Sequence, residues 1–172
     1  ELAGSEVELV GLSGRERRLK EALQGVRDRY DYVLLDCPPS LGLLSVNALV
    51  AADGVIVPVQ CEYLSLEGVG ALMRTLRMVR DRLNPQLRLA GIVLTMFDGR
   101  TRLSSEVVEE VGRHFPEAKF DTVVPRSVRL GEAPSYGESI LTYAPNSAGA
   151  DAYVALAREL MDRTGNGRNG AL

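Results

Sequence analysis

Tryptophan is absent from this sequence and histidine occurs once, at His114. The two cysteines, Cys37 and Cys61, have no second cysteine at short spacing. A disulfide framework and a zinc site are therefore not expected, and two isolated thiols suit a reducing compartment. His114 sits beside Phe115 near the end of a helical pattern, where a structural role at the helix terminus is the natural reading. Long hydrophobic runs are also missing. The longest, Leu41–Ala52 and Gly54–Val59, are broken by Ser, Asn, Asp and Pro, which excludes a membrane span through them. Neither charge dominates: 20 Lys+Arg stand against 23 Asp+Glu, for a net charge of −3. The halves match too, with 10 basic and 12 acidic residues before residue 87 and 10 and 11 after it. Any anion-binding surface must come from a few placed arginines, and none lies between Arg29 and Arg74. The start, Glu1–Glu6, has no initiator Met and no signal-peptide pattern, which leaves open whether these 172 residues are the whole domain.

What is present is ordinary for a globular domain: 45% hydrophobic and 25% charged residues, enough for a sizeable core. Short β-branched runs alternate with helical periods. Val7–Val10 is a weak strand. Ser13 and Glu16 have capping-box spacing and predict a helix through about Arg29. Tyr32–Leu35 is a continuous apolar run ending at Asp36, the pattern of a strand buried on both faces of a parallel sheet, and Pro38-Pro39 ends it. A helix over Leu43–Ala51 and a strand over Val55–Val59 follow, with Pro58 expected to mark the strand's end. Further on come a helix from Ser65 to Leu83, a strand over Leu89–Met96, a helix over Leu103–Phe115 and a strand over Phe120–Val124. A last helix over Ser147–Arg163, capped by Ser147, precedes a tail at 164–172 expected to be disordered. In the helix after Ser65, Arg74, Arg77 and Arg80 fall on a different side from Leu66, Val69, Met73, Leu76, Val79 and Leu83, the pattern of a wet face. The alternation predicts an α/β fold: a doubly wound, mainly parallel sheet with helices on both faces.

Such sheets bind ligands at the carboxyl ends of their strands, here Asp36–Gly42, Gln60–Leu64, Thr95–Thr101 and Pro125–Pro134. Asp36, at the tip of an apolar strand, reads either as a Walker-B-type aspartate holding water on Mg²⁺ or as a loop or capping aspartate. Thr95–Asp98 is a wall for a base or an ordinary turn ahead of Gly99. Pro125 and Ser127 suit the face and edge of a planar base, or any loop. Arg100 and Arg102 have no acid from Gly99 to Ser105, and Arg126 and Arg129 have none from Thr122 to Gly131. Two such basic loops fit either a phosphate backbone or solvated surface. Ser40 lies in no G-x-S-x-G frame, which leaves a serine hydrolase without support.

Taken together, four segments resemble the ParA/Soj family of chromosome- and plasmid-partition ATPases: Tyr30–Gly42, Val57–Tyr63, Leu94–Thr101 and Val124–Ser135. The likeness runs from about residue 3 to residue 162. It implies a P-loop NTPase-like sheet with deviant Walker motifs, which dimerises around ATP and Mg²⁺ and binds DNA nonspecifically. By position, Asp36 resembles the Walker B aspartate acting on Mg²⁺ through water. Pro38 and Pro39 resemble the switch loop that senses the γ-phosphate. Met96, Asp98, Pro125 and Ser127 match the adenine side, with Ser127 standing where close relatives often carry asparagine. Arg100 and Arg129 match arginines that contact DNA phosphates. A homodimer, a ParB-type partner and a cytoplasmic, nucleoid-associated location follow from the same resemblance. No membrane partner is expected, because Thr164–Leu172 has no amphipathic helical pattern.

One family element has no counterpart in these 172 residues. No G-x-x-x-x-G-K-[ST] phosphate loop occurs: Gly11–Arg15 and Gly68–Gly70 lack the lysine and the spacing. Residues 1–163 therefore resemble the C-terminal two-thirds of such an ATPase domain. The chain alone is expected not to hydrolyse ATP; the alternative is an interaction module of the same fold that binds no nucleotide.

Overall fold

The computed structural model describes residues 9, 11–38, 42–62 and 66–165. Contacts divide the chain into two units, Glu1–Val55 with Leu66–Arg88, and Ile56–Ser65 with Leu89–Leu172.

The first unit is helical. Its helices are α1 (Arg18–Ala22), α2 (Leu43–Ala51) and α3 (Leu66–Arg82). The continuous helix expected from Ser13 to Arg29 does not form; α1 instead lies between 3₁₀ turns at Arg15–Arg17 and Arg27–Arg29. Gly14 is left-handed (φ 67°), so the chain turns where the capping box would have begun. Glu16 pairs with Arg15 Nε at 3.1 Å rather than reaching back to a cap. None of these short segments buries a residue. Of the weak strand at Val7–Val10, only Leu9 is among the described residues, and it is helical.

Helix α2 carries no charge and buries Ser45, Asn47, Ala48, Leu49, Val50 and Ala51, as an all-round apolar helix must. Two asparagines tie it down. Asn47 Nδ2 donates to the carbonyls of Arg15 (2.8 Å) and Leu43 (3.0 Å), and its Oδ1 accepts from Leu19 N–H (3.2 Å). Asn84 Nδ2 donates to the carbonyls of Leu49 (3.0 Å) and Ala52 (2.8 Å) at the helix C-terminus. On α3, Leu76 and Val79 are buried while Arg74, Arg77 and Arg80 are exposed, matching the sequence periodicity.

The apolar run before Asp36 departs from expectation. Residues 32–38 form no strand, and Tyr32, Val33 and Leu34 are exposed, Leu34 at 79%. A strand is buried on both faces only as part of a sheet that helices cover above and below, and the described sheet consists of three other strands. Pro39, Ser40 and Leu41 of the expected switch loop lie outside the described residues; Pro38 is exposed.

The second unit holds, but for the first residues of β1 and β2, the sheet, ordered β1 (Gly54–Gln60), β2 (Arg88–Phe97), β3 (Lys119–Pro125). Strands β2 and β3 are parallel, with Phe97 opposite Pro125. Four consecutive β2 residues, Gly91 to Leu94, are buried, the mark of a central strand covered on both faces. Pro58 does not end β1, which continues to Gln60. On an edge strand, an exposed proline forfeits no ladder bond. Helix α4 (Arg102–His114) buries Ser104, Val107 and Val111. After β3 come the short helices α5 (Val128–Glu132) and α6 (Ile140–Tyr143), then α7 (Ala148–Gly165), whose first turn is capped by Ser147 Oγ accepting from Ala150 N–H (3.2 Å). Val93, Phe120 and Val124 form a core against Ile56, Leu130, Leu156 and Leu160.

Helix α7 also closes the outer edge of β3. Glu159 accepts the N–H groups of Asp121 (2.8 Å) and Thr122 (2.9 Å) and pairs with Arg163 (2.7 Å). Burial works to raise the Glu159 pKa, but these N–H bonds and Arg163 outweigh it and carry the pKa below its usual value. A lowered folded pKa gives stability that is present above the unfolded value and lost as pH falls through the folded one. Glu159→Gln is therefore expected to cost about 2 kcal/mol near neutrality. That deficit against the parent shrinks toward zero as denaturation is followed down to about pH 3. A deficit independent of pH contradicts the assignment.

Candidate functional site

The strand ends of the second unit converge where a parallel sheet places its ligands. Strand β2 does not run straight to its end. Met96 has φ 54°, a left-handed conformation that is costly for a residue with a side chain, and the β2–β3 register shifts between Leu94 and Phe97. The bulge sets Asp98 at the head of a tight loop. Asp98 N–H donates to Ser104 Oγ (3.2 Å), and Asp98 C=O accepts from both the N–H and the hydroxyl of Thr101 (3.0 Å each). Thr101 caps α4 through Ser104 N–H, and Ser104 Oγ bonds the carbonyl of Cys61 beyond β1 (3.2 Å). Cys61 N–H donates to Thr95 C=O (2.8 Å), and Arg126 N–H to Phe97 C=O (2.9 Å). All three strand ends are thereby laced together.

Through the pairing of Phe97 with Pro125, the Met96–Asp98 segment lies beside Pro125–Ser127. Met96, Asp98, Pro125 and Ser127, the four expected base-side residues, occupy the ends of two adjacent strands and are partly exposed. Asp36 belongs to the first unit, where it is exposed.

The basic loops are not acid-free in space. Arg100 grips Asp98 with a fork, Nε to Oδ1 at 2.8 Å and Nη2 to Oδ2 at 2.6 Å, and its backbone N–H also reaches Oδ1 (3.0 Å). Those bonds hold the Asp98 carboxyl far below the usual carboxylate range, and Arg126 adds to the effect. Arg126 pairs with Glu62, and Arg102 with Glu106 (2.7 Å). The acids were missed because Asp98 and Glu106 stand one residue outside the acid-free window and Glu62 comes from the turn after β1. Arg129, exposed on α5, makes no ion pair with the described residues. Sequence reasoning also passed over Thr101 and Ser104, although Thr101-x-x-Ser104 at a helix start is a visible capping pattern.

Remaining candidates are structural. His114 Nδ1 lies 3.0 Å from Glu110 C=O at the end of α4. Burial raises the thiol pKa of Cys61, and burial with the Asp36 charge raises that of Cys37, so neither thiol is activated.

The family model described as an AAA domain matches residues 1–89. The chain is 52% identical over 160 residues to the sporulation initiation inhibitor protein Soj of Bacillus subtilis, covering 93% of this chain and 63% of that protein. It is 52% identical over 163 residues to the chromosome partitioning protein ParA of Myxococcus xanthus, covering 95% and 58%. The chain belongs to the ParA/Soj partition family. Cobyrinic acid a,c-diamide synthase from Mycobacterium smegmatis, solved with bound ADP and magnesium, superposes with a TM-score of 0.76 at 38% identity, over 95% of this chain and 60% of that one. The ParA/Soj fold is accordingly an α/β, P-loop NTPase-like one. This chain spans about three fifths of the relatives it matches. No described helix is long and apolar enough to cross a membrane.

Proposed function

We propose that the chain is the base-side and DNA-side portion, residues 1–163, of a partition ATPase that dimerises with ATP and binds DNA nonspecifically. The observation that carries this reading is the convergence of Met96, Asp98, Pro125 and Ser127 at two adjacent strand ends, with Arg100 in the loop beyond one and Arg129 on the short helix beyond the other.

The residues fit ATP only in part. Met96 and Pro125 offer apolar surface to adenine, Ser127 a hydroxyl and Asp98 a carboxylate to its edge. Asp36 is an exposed carboxylate suited to a magnesium-bound water. The phosphates have no cradle: the chain's two lysines, Lys20 and Lys119, lie in no glycine-rich loop. No hydrolytic step is therefore assigned to these residues alone. In the whole family protein, a ParB-type partner would stimulate hydrolysis on the nucleoid, and release would follow.

Duplex binding tests the DNA side directly. A fluorescein-labelled DNA duplex is titrated with the 172-residue chain in a KCl series and followed by anisotropy. Binding is expected to weaken steeply with salt. Arg100→Ala with Arg129→Ala is expected to lower the slope of log K against log [salt], by roughly 0.9 for each phosphate contact that the pair supplies. An unchanged slope in the double variant removes both arginines from the DNA surface.

A further inference from the structure

The arginines at the strand ends are unequal. Arg100, Arg102 and Arg126 are each held by a carboxylate, whereas Arg129 has none among the described residues. The Asp98–Arg100 pair is the most constrained. Its acid is the fixed half: the Asp98 side chain is 16% exposed, and its backbone is fastened at both N–H and C=O by Ser104 and Thr101. Its base is the free half, with the Arg100 side chain 88% exposed. Asp98 takes up the Nε–Nη2 edge of the guanidinium, one of the edges that recognise a phosphate as a bidentate pair. A phosphate oxygen pair arriving at that edge must displace a carboxylate already bound through it. Near Asp98 the charges alternate, Arg100 and Arg126 facing it and Glu62 facing Arg126, so the row presents no net positive charge.

We propose that Asp98 is a built-in competitor that holds Arg100 back from nucleic-acid phosphate, leaving Arg129 to carry the resting affinity. The inference rests on the DNA-binding reading above and deepens it: Asp98 is a positioning residue for a phosphate contact. Removing its charge releases the Arg100 fork. Asparagine keeps Oδ1 as an acceptor for the Arg100 N–H, so the loop itself is preserved in Asp98→Asn.

The test is a double-mutant cycle in the same anisotropy assay, using the 172-residue chain, labelled duplex DNA and a KCl series. Unchanged thermal unfolding serves as the folding control for each variant. Asp98→Asn is expected to tighten binding several-fold at low salt and to steepen the salt slope by about 0.9, one added phosphate contact. Arg100→Ala is expected to weaken binding less than Arg129→Ala does in the parent. In the Asp98→Asn background, Arg100→Ala is expected to cost at least as much as Arg129→Ala and to cancel the gain. If Asp98→Asn tightens binding but Arg100→Ala costs the same in both backgrounds, lost negative charge explains the gain and the competitor is refuted. Asp98→Asn binding like the parent refutes it as well. Those two failures leave salt-dependent, Arg129-sensitive binding in place. Absence of such binding in the parent instead overturns the DNA reading, and the competitor with it.

Discussion

Gly91→Ala is expected to destabilise the protein by about 3 kcal/mol, the upper end of ordinary overpacking. Gly91 lies in the buried stretch of β2, and a Cβ built on it falls 2.1 Å from Cε2 of Phe120, 2.7 Å from Cδ2 and 2.9 Å from Cζ. The ring cannot swing clear. Phe120 is fully buried, packed with Val93 and Val124, and the Arg163 guanidinium stacks on it at 4.2 Å from the centroid. Arg163 is itself tied to the carbonyls of Ala118 (3.2 Å) and Lys119 (2.6 Å), so moving the ring also strains the clasp of α7 on β3. Urea denaturation of the parent and variant measures the loss. Phe120→Leu supplies the check, because it removes the clashing atoms: the double variant is expected to be more stable than the sum of the single losses by at least 1 kcal/mol. Additive losses would show that the ring is not what excludes the methyl group.

Elements that bury one continuous apolar surface were legible in the sequence. The second unit follows the alternation closely: the helix expected at Leu103–Phe115 runs from Arg102 to His114, and the strand expected at Phe120–Val124 runs from Lys119 to Pro125. These succeed because their periodicity reflects packing within the described chain: Val107 and Val111 on one helix face, and Phe120 and Val124 on one strand face. The misreadings come from signals whose meaning depends on neighbours. Tyr32–Leu35 reads as a buried strand, but such burial needs a sheet covered by helices, and Tyr32, Val33 and Leu34 are exposed. Pro58 reads as a strand end because proline forbids a ladder bond, yet at an edge that bond is not required.

The site shows the same division. Its backbone frame was legible as residues following strands, and Met96, Asp98, Pro125 and Ser127 do share adjacent strand ends. Charge pairing was not legible. An acid-free window around Arg100 ends one residue after Asp98, the acid that holds it, while Glu62 meets Arg126 from 64 positions away. The left-handed Met96 was invisible as well, because nothing in Thr-Met-Phe-Asp marks a bulge without the register of β3.

Asn84 supplies the second large effect, and its chemistry makes the expected result depend on pH. This buried side chain, 4% exposed, gives both hydrogen bonds of one amide nitrogen to Leu49 and Ala52, carbonyls left over at the end of α2. Asn84→Ala leaves both carbonyls without that donor in a buried setting and is expected to cost about 3 kcal/mol at any pH in the range where the protein folds. Asn84→Asp keeps the shape but sets a carboxylate against the two carbonyl oxygens. Desolvation and like partial charges both disfavour the ionised form, so the folded pKa of the new acid stands above its unfolded value of about 3.9. Its penalty then begins as pH rises through the unfolded pKa, grows with pH and levels off above the folded one. At about pH 7 the aspartate variant is expected to be the less stable of the two, and near pH 4 to recover to the alanine variant or better, since a protonated carboxyl donates one hydrogen bond where alanine donates none. Chemical denaturation of both variants at those two pH values decides the matter. An Asn84→Asp penalty that does not change with pH would mean that the amide does not hold the α2 terminus.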